Sequence, residues 1–148
     1  MAIPAFDCDG FLPVGVHDCT LDEIRGRFGS FQRSDRRSNL FKKLESFIGE
    51  VRAAGFARWL LVDGSFVTRK AEPNDIDLVL VISLTLDLEA DLPPAHYNLV
   101  SKRRVQRRFG FDTITVREET SEYDDAVAFF QQVHGEPGLR KGLLRLAL

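Results

Sequence analysis

At 148 residues, with 44% hydrophobic and 28% charged side chains, the chain has the size and composition of one globular domain able to bury a core without metal or disulfide support. A formal net charge of −2 excludes whole-molecule attraction to nucleic acid as the basis of function. No apolar run reaches the roughly 18 residues that a membrane-spanning helix needs.

The start, Met1-Ala2-Ile3-Pro4-Ala5-Phe6-Asp7, has no basic segment ahead of an apolar one and does not read as a secretory signal. Cys8 and Cys19 make no disulfide framework, so the expected setting is the cytoplasm with reduced thiols. His17 with those two cysteines lacks the paired spacing of a zinc site. Gly10, Pro13 and Gly15 break the chain early, and residues up to about Ser38 read as irregular. Within them Thr20 and Glu23 form a capping box for a short helix from Leu21 to Arg27, ending at Gly29.

A longer helix is predicted from Ser38 to Ala54. Leu40, Phe41, Leu44, Phe47, Ile48 and Val51 make one apolar stripe at helical spacing, and Gly55 suits its C-terminal cap. The apolar run Trp59-Leu60-Leu61-Val62, ended by Asp63-Gly64, reads as a buried strand, with Asp63 capping the turn. Ile76 to Ile82, rich in β-branched residues, reads as a second strand. Leu84 to Pro94 reads as loop. Ala95 to Arg108 reads as one basic helix closed by Gly110. Phe111 to Val116 alternates and reads as a third strand. Tyr123 to Val133 reads as a helix, Gly135-Glu136-Pro137-Gly138 as a turn, and Leu143 to Leu148 as a short last strand. This order implies an α/β (α+β) domain with a mixed sheet.

The chemistry-bearing residues cluster around the second strand. Asp75 and Asp77 are two apart, so in an extended chain both carboxylates project from one face while Ile76 and Leu78 face the core. Carboxylates held this close repel unless a cation lies between them. Such hard oxygen donors suit Mg²⁺, which often binds through carboxylates and substrate phosphates together. Gly64-Ser65 ends the preceding strand. The glycine lets backbone approach a phosphate, Ser65 adds a hydroxyl donor, and a helical turn at Phe66-Val67-Thr68 would add N–H groups. Asp112 supplies a third carboxylate if its strand lies beside the second. Three carboxylates can hold two metal ions about 3.5–4 Å apart.

The run Gly64-Ser65-Phe66-Val67-Thr68 … Pro73-Asn74-Asp75-Ile76-Asp77-Leu78-Val79-Leu80-Val81 resembles the signature of the DNA polymerase β-like nucleotidyltransferase superfamily. It looks closest to small bacterial members, the minimal nucleotidyltransferases of toxin–antitoxin and phage-defence systems. The core resemblance spans Trp59 to Val116. The opening Leu12-Pro13-Val14-Gly15-Val16-His17-Asp18-Cys19-Thr20 and the closing Arg140-Lys141-Gly142 also look similar to an uncharacterised bacterial group with this core.

The resemblance implies a nucleotidyltransferase-fold core with helices mainly on one face of a mixed sheet. It implies a single domain over 1–148: an extension and helix (1–56), a catalytic core (57–117), and a closing helix and strand (118–148). It implies that Asp75, Asp77 and Asp112 ligate two Mg²⁺ or Mn²⁺ ions, with Asp112 also the general base. Gly64, Ser65, Thr68, Arg69 and Lys70 would bind the NTP triphosphate; Arg69 stands where small members carry a second glycine. The reaction would move NMP, AMP foremost, from NTP to a hydroxyl of a partner protein such as a cognate toxin, or of an RNA such as tRNA. The rival reading is a catalytically silent binding or regulatory subunit with the same fold.

Two basic groups bear on the partner. Lys102, Arg103, Arg104, Arg107 and Arg108 form either a solvated helix face or a patch for a nucleic-acid acceptor. Arg33, Arg36, Arg37, Lys42 and Lys43 are open to the same two readings. Arg140 and Lys141 follow a turn and are candidates to reach phosphate, whereas His96 and His134 read as surface or cap residues.

Overall fold

The computed structural model describes residues 3–29, 35–87, 90 and 92–148. Arg33, and part of the loop assigned to Leu84–Pro94, lie outside the described residues.

The chain starts with β1 (Val16–Cys19) and α1 (Leu21–Phe28). Thr20 and Glu23 close the expected capping box on α1, each side chain taking the other's backbone N–H. α2 (Arg36–Ala54) ends on Gly55, whose φ of 75° gives the left-handed cap that glycine adopts without strain. There follow β2 (Ala57–Asp63), a 3₁₀ turn at Ser65–Val67, β3 (Asp77–Ile82), α3 (Pro94–Val100), α4 (Lys102–Phe109) and β4 (Asp112–Arg117). α5 (Ser121–Phe130), β5 (Gln132–Val133), β6 (Glu136–Arg140) and β7 (Leu143–Ala147) complete the fold.

Five strands form one mixed sheet in the order β1-β7-β2-β3-β4. β2 runs antiparallel to both β3 and β7, while β3–β4 and β1–β7 are parallel. Strand alternation divides the apolar side chains between two cores. Leu60, Val62, Leu78, Leu80, Ile82, Leu144 and Leu146 pack with residues of α1, α2, α3 and α4. Leu61, Val79, Val81, Val116 and Leu143 pack with Ala126 of α5 on the other face. Most helices therefore share one face, and α5 with the β5–β6 hairpin covers the other.

The sheet is buried on both faces, which explains why β2 and β3 read as unbroken apolar runs instead of alternating ones.

Three local expectations are corrected. The basic helix expected over Ala95–Arg108 is two helices, broken at Ser101, whose extended backbone (φ −78°, ψ 112°) ends α3 while its hydroxyl accepts the Arg104 N–H at the start of α4. The last helix stops at Phe130, because Gln132–Val133 turns back through His134-Gly135 to pair with β6, where only a turn was expected. The stretch before Ser38 contains a strand: β1 pairs with β7, Val16 opposite Leu143.

Candidate active site

The site is assembled where β2, β3 and β4 end side by side. Asp63 lies opposite Asp77 in the β2–β3 pair, and Asp77 lies opposite Asp112 in the β3–β4 pair. Residues directly opposite in neighbouring strands share a face. Asp63, Asp77 and Asp112 thus form a row of carboxylates across three strands about 4.8 Å apart. The row lies on the α5 face, since Leu61 and Val79, two residues along from Asp63 and Asp77, pack in that core.

Asp75 precedes the strand instead of standing within it, but Ile76 and Leu78 are 1% and 0% exposed as their spacing requires. The Asp75 carboxylate is held by Ser65, whose backbone N–H and hydroxyl both donate to Oδ1 at 2.8 and 2.5 Å. The Ser65 hydroxyl oxygen in turn accepts the backbone N–H groups of Asn74 and Asp75. The Gly64-Ser65 turn and the Asp-x-Asp segment are therefore one hydrogen-bonded unit.

Gly64 has a structural role in addition to the expected approach to phosphate. Its φ is 91°, and a Cβ there would lie 2.9 Å from the Asp75 carbonyl oxygen and 3.0 Å from the Asp77 nitrogen. Glycine is what lets the two strands' ends come together.

Arg37 is a correction of another kind. Expected among solvent-facing basic residues, it is fully buried. Its guanidinium donates to the carbonyls of Phe28 (3.3 Å), Phe66 (2.6 Å), Thr68 (2.8 Å) and Lys70. It fastens the Gly64–Lys70 loop to the helical layer. Burial lowers its pKa to about 10, which leaves it charged at neutral pH. Arg36 bonds Asn74 Oδ1 at 2.7 Å, beside the same loop; Lys42 and Lys43 are exposed.

Thr68 turns inward, its hydroxyl donating to the Ser65 carbonyl at 2.7 Å. The Arg69 backbone N–H bonds the Gly10 carbonyl, and its guanidinium lies 5.8 Å from the Phe6 ring centroid. The N-terminal segment thereby forms one wall beside the turn.

Two clefts meet at Asp75 and Asp77, and Asp112 lines neither of them. One, of about 650 Å³, runs between the Gly64–Lys70 loop and Cys8–Phe11. The other, of about 940 Å³, runs under the β5–β6 hairpin and is walled by Phe129, Phe130, Val133 and Pro137. Asp75, Asp77, Val133, His134 and Lys141 line both.

The electrostatics follow from this crowding. Burial first, then the charges of Asp75, Asp63 and Asp112, push Asp77 up to about 6. Asp63 is only 3% exposed, and burial raises its pKa against the opposing pull of Lys141, whose Nζ lies 3.0 Å from Oδ2. Asp63 Oδ1 is buried and, among the described residues, has no side-chain hydrogen-bond partner. Asp63 therefore does more than cap a turn, and His134 and Lys141 lie at the site although they are 59 and 66 positions from Asp75 in sequence. Local sequence marked Lys141 only as a cation after a turn; its place beside Asp63 depends on β7 lying beside β2.

Carboxylate oxygens are the donor chemistry of Mg²⁺. Among the described residues, however, no three acidic, histidine or cysteine side chains are already gathered at metal-holding positions. One Asp75 oxygen is engaged by Ser65 and one Asp63 oxygen by Lys141.

Residues 4–147 match a family model described as a family of unknown function, DUF6932. The chain belongs to that family. No curated protein and no solved structure matches it. The DUF6932 match takes in both flanking motifs, and these touch in space. The Gly142 N–H donates to the Leu12 carbonyl at 2.9 Å, and that of Leu143 to the Gly15 carbonyl.

Proposed function

We propose that this DUF6932 chain is a Mg²⁺-dependent nucleotidyltransferase, the reading its resemblance to the polymerase β-like superfamily implies. One observation supports it above all: Asp77 and Asp112, 35 positions apart in number, stand in register on adjacent parallel strands, beside an Asp75 that is hydrogen-bonded to the Gly64-Ser65 turn. Asp75, Asp77 and Asp112 would hold the ions, which when bound polarise the acceptor oxygen and neutralise the leaving group. In the reaction the acceptor hydroxyl oxygen forms a bond to the α-phosphorus of NTP. The bond from that phosphorus to the bridging oxygen breaks, pyrophosphate leaves, and Asp112 takes the hydroxyl proton. The acceptor is a protein or RNA hydroxyl.

The test is incubation with each labelled NTP, Mg²⁺ or Mn²⁺, and cell lysate. A labelled macromolecule that disappears with the Asp75→Ala/Asp77→Ala variant supports the enzyme. A second reading, a silent binding subunit, is favoured by the Ser65–Asp75 hydrogen bonds, which occupy groups a triphosphate would use. It predicts no labelling and undiminished partner capture by that variant.

A further inference from the structure

We propose that Lys141, held in place by Asp63, binds the phosphates of the nucleotide. This rests on the nucleotidyltransferase reading and adds to it a phosphate-binding element from the far end of the chain. Lys141 is the cation common to both clefts that meet at Asp75 and Asp77; Arg140 borders only one, and Arg69 and Lys70 only the other. Its ammonium has three N–H donors. Among the described residues one is used, on Asp63 Oδ2 at 3.0 Å. The side chain is 16% exposed, and Lys141 lines both clefts.

The backbone that carries it is fixed on both sides. The Lys141 N–H donates to the Gln131 carbonyl at 2.8 Å, and the next N–H, of Gly142, donates to the Leu12 carbonyl. A Cβ on Gly142 would stand 2.0 Å from the Pro13 carbonyl oxygen and 2.8 Å from His17 Nε2. His17 Nε2 itself donates to that Pro13 oxygen at 2.6 Å. Glycine alone permits this contact, and so the two flanking motifs lock together. A cation delivered on rigid backbone and aimed by a buried carboxylate needs no ordering when an anion arrives.

Asp63 explains why the lysine stays in place when no anion is present. A buried carboxylate without a counter-charge is costly, and Lys141 supplies one through Oδ2. Among the described residues Lys141 is the cation that ion-pairs with Asp63. Asp63 is thus a positioning residue and Lys141 a binding residue.

Lys141→Met alone strands the Asp63 charge and is expected to unfold easily, so the informative variant is Asp63→Asn/Lys141→Met, which removes both charges. Calorimetry would measure binding of a non-hydrolysable ATP analogue and of inorganic tripolyphosphate, each with Mg²⁺, to the wild type, to this double variant and to Asp75→Asn/Asp77→Asn. Circular dichroism and thermal melting would establish that each is folded. The expected result is wild-type binding of the analogue that is tighter than that of tripolyphosphate. The folded double variant should lose about 10–100-fold in affinity for both, the worth of one charge-assisted hydrogen bond. Wild-type affinity in the double variant, with binding lost in Asp75→Asn/Asp77→Asn, overturns the role of Lys141 and leaves the nucleotidyltransferase reading standing. No binding by the wild type overturns both. Tighter binding of tripolyphosphate than of the analogue overturns the assignment to a nucleotide.

Discussion

Asp77→Asn should make the protein more stable in chelator and, under the proposed function, abolish its binding of a divalent ion. Asp77 carries a half-buried charge facing three other carboxylates, and its pKa rises from 3.8 to about 6. Between those values the folded chain keeps a proton that the unfolded chain has released. Stability therefore falls as pH rises from about 4 to about 6, and the penalty persists above that range. Taken whole, the gap corresponds to about 3 kcal/mol at neutral pH. Partial exposure screens some of it, leaving roughly 1–2 kcal/mol. For a chain of this length that is about 2–8 °C in Tm. Among the described residues no hydrogen bond to the Asp77 side chain stands against the change, and asparagine matches it in shape.

The assay is thermal unfolding in chelator at pH 4 and pH 8, followed by a Mg²⁺ titration at pH 8. Asp77→Asn should melt higher than the wild type at pH 8 and close to it at pH 4. Mg²⁺ should raise the wild-type Tm and leave that of the variant unmoved, because ligands stabilise the state that binds them. A variant that melts at or below the wild type at pH 8 in chelator would refute the argument that these carboxylates repel one another in the folded state.

Gly64→Ala should destabilise by roughly 2–4 kcal/mol and abolish nucleotide binding, through positive-φ strain and the Cβ clash with the Asp75 carbonyl; an unchanged denaturant midpoint would contradict it. Arg37→Met leaves the carbonyls of Phe28, Phe66, Thr68 and Lys70 without their donor, and a loss on the order of 4 kcal/mol is expected from urea unfolding. An Arg37 that served only as a solvent-facing charge would cost almost nothing. Arg103→Glu/Arg107→Glu reverses two exposed charges of α4 that make no ion pair among the described residues, whereas Arg108 pairs with Glu50 at 2.6 Å. If the acceptor is RNA, this variant should lose salt-sensitive retention of RNA on a filter while melting like the wild type; retention unaltered by the reversal removes RNA as the partner.

What was legible in the sequence was local. The Thr20–Glu23 capping box, Gly55 beyond its apolar stripe, and the runs that became β2 and β3 follow from spacing and side-chain chemistry within a few residues. So does the placing of Ile76 and Leu78 in the core. Such features depend on forces that act between neighbours in the chain. The residues whose meaning changed are those whose partners are remote in sequence. Arg37 looks like any surface arginine until the Gly64–Lys70 loop folds over it, and Asp63 looks like a turn cap until β7 brings Lys141 to its carboxylate. β1 is too short to announce itself and exists because β7 offers it an edge. The sequence by itself determined which acids, which glycine-serine turn and which apolar strands were available. Only the tertiary structure decided that Asp63, Asp77 and Asp112 share one row, because strand order and register are set by burying both sheet faces at once, and no local pattern encodes that.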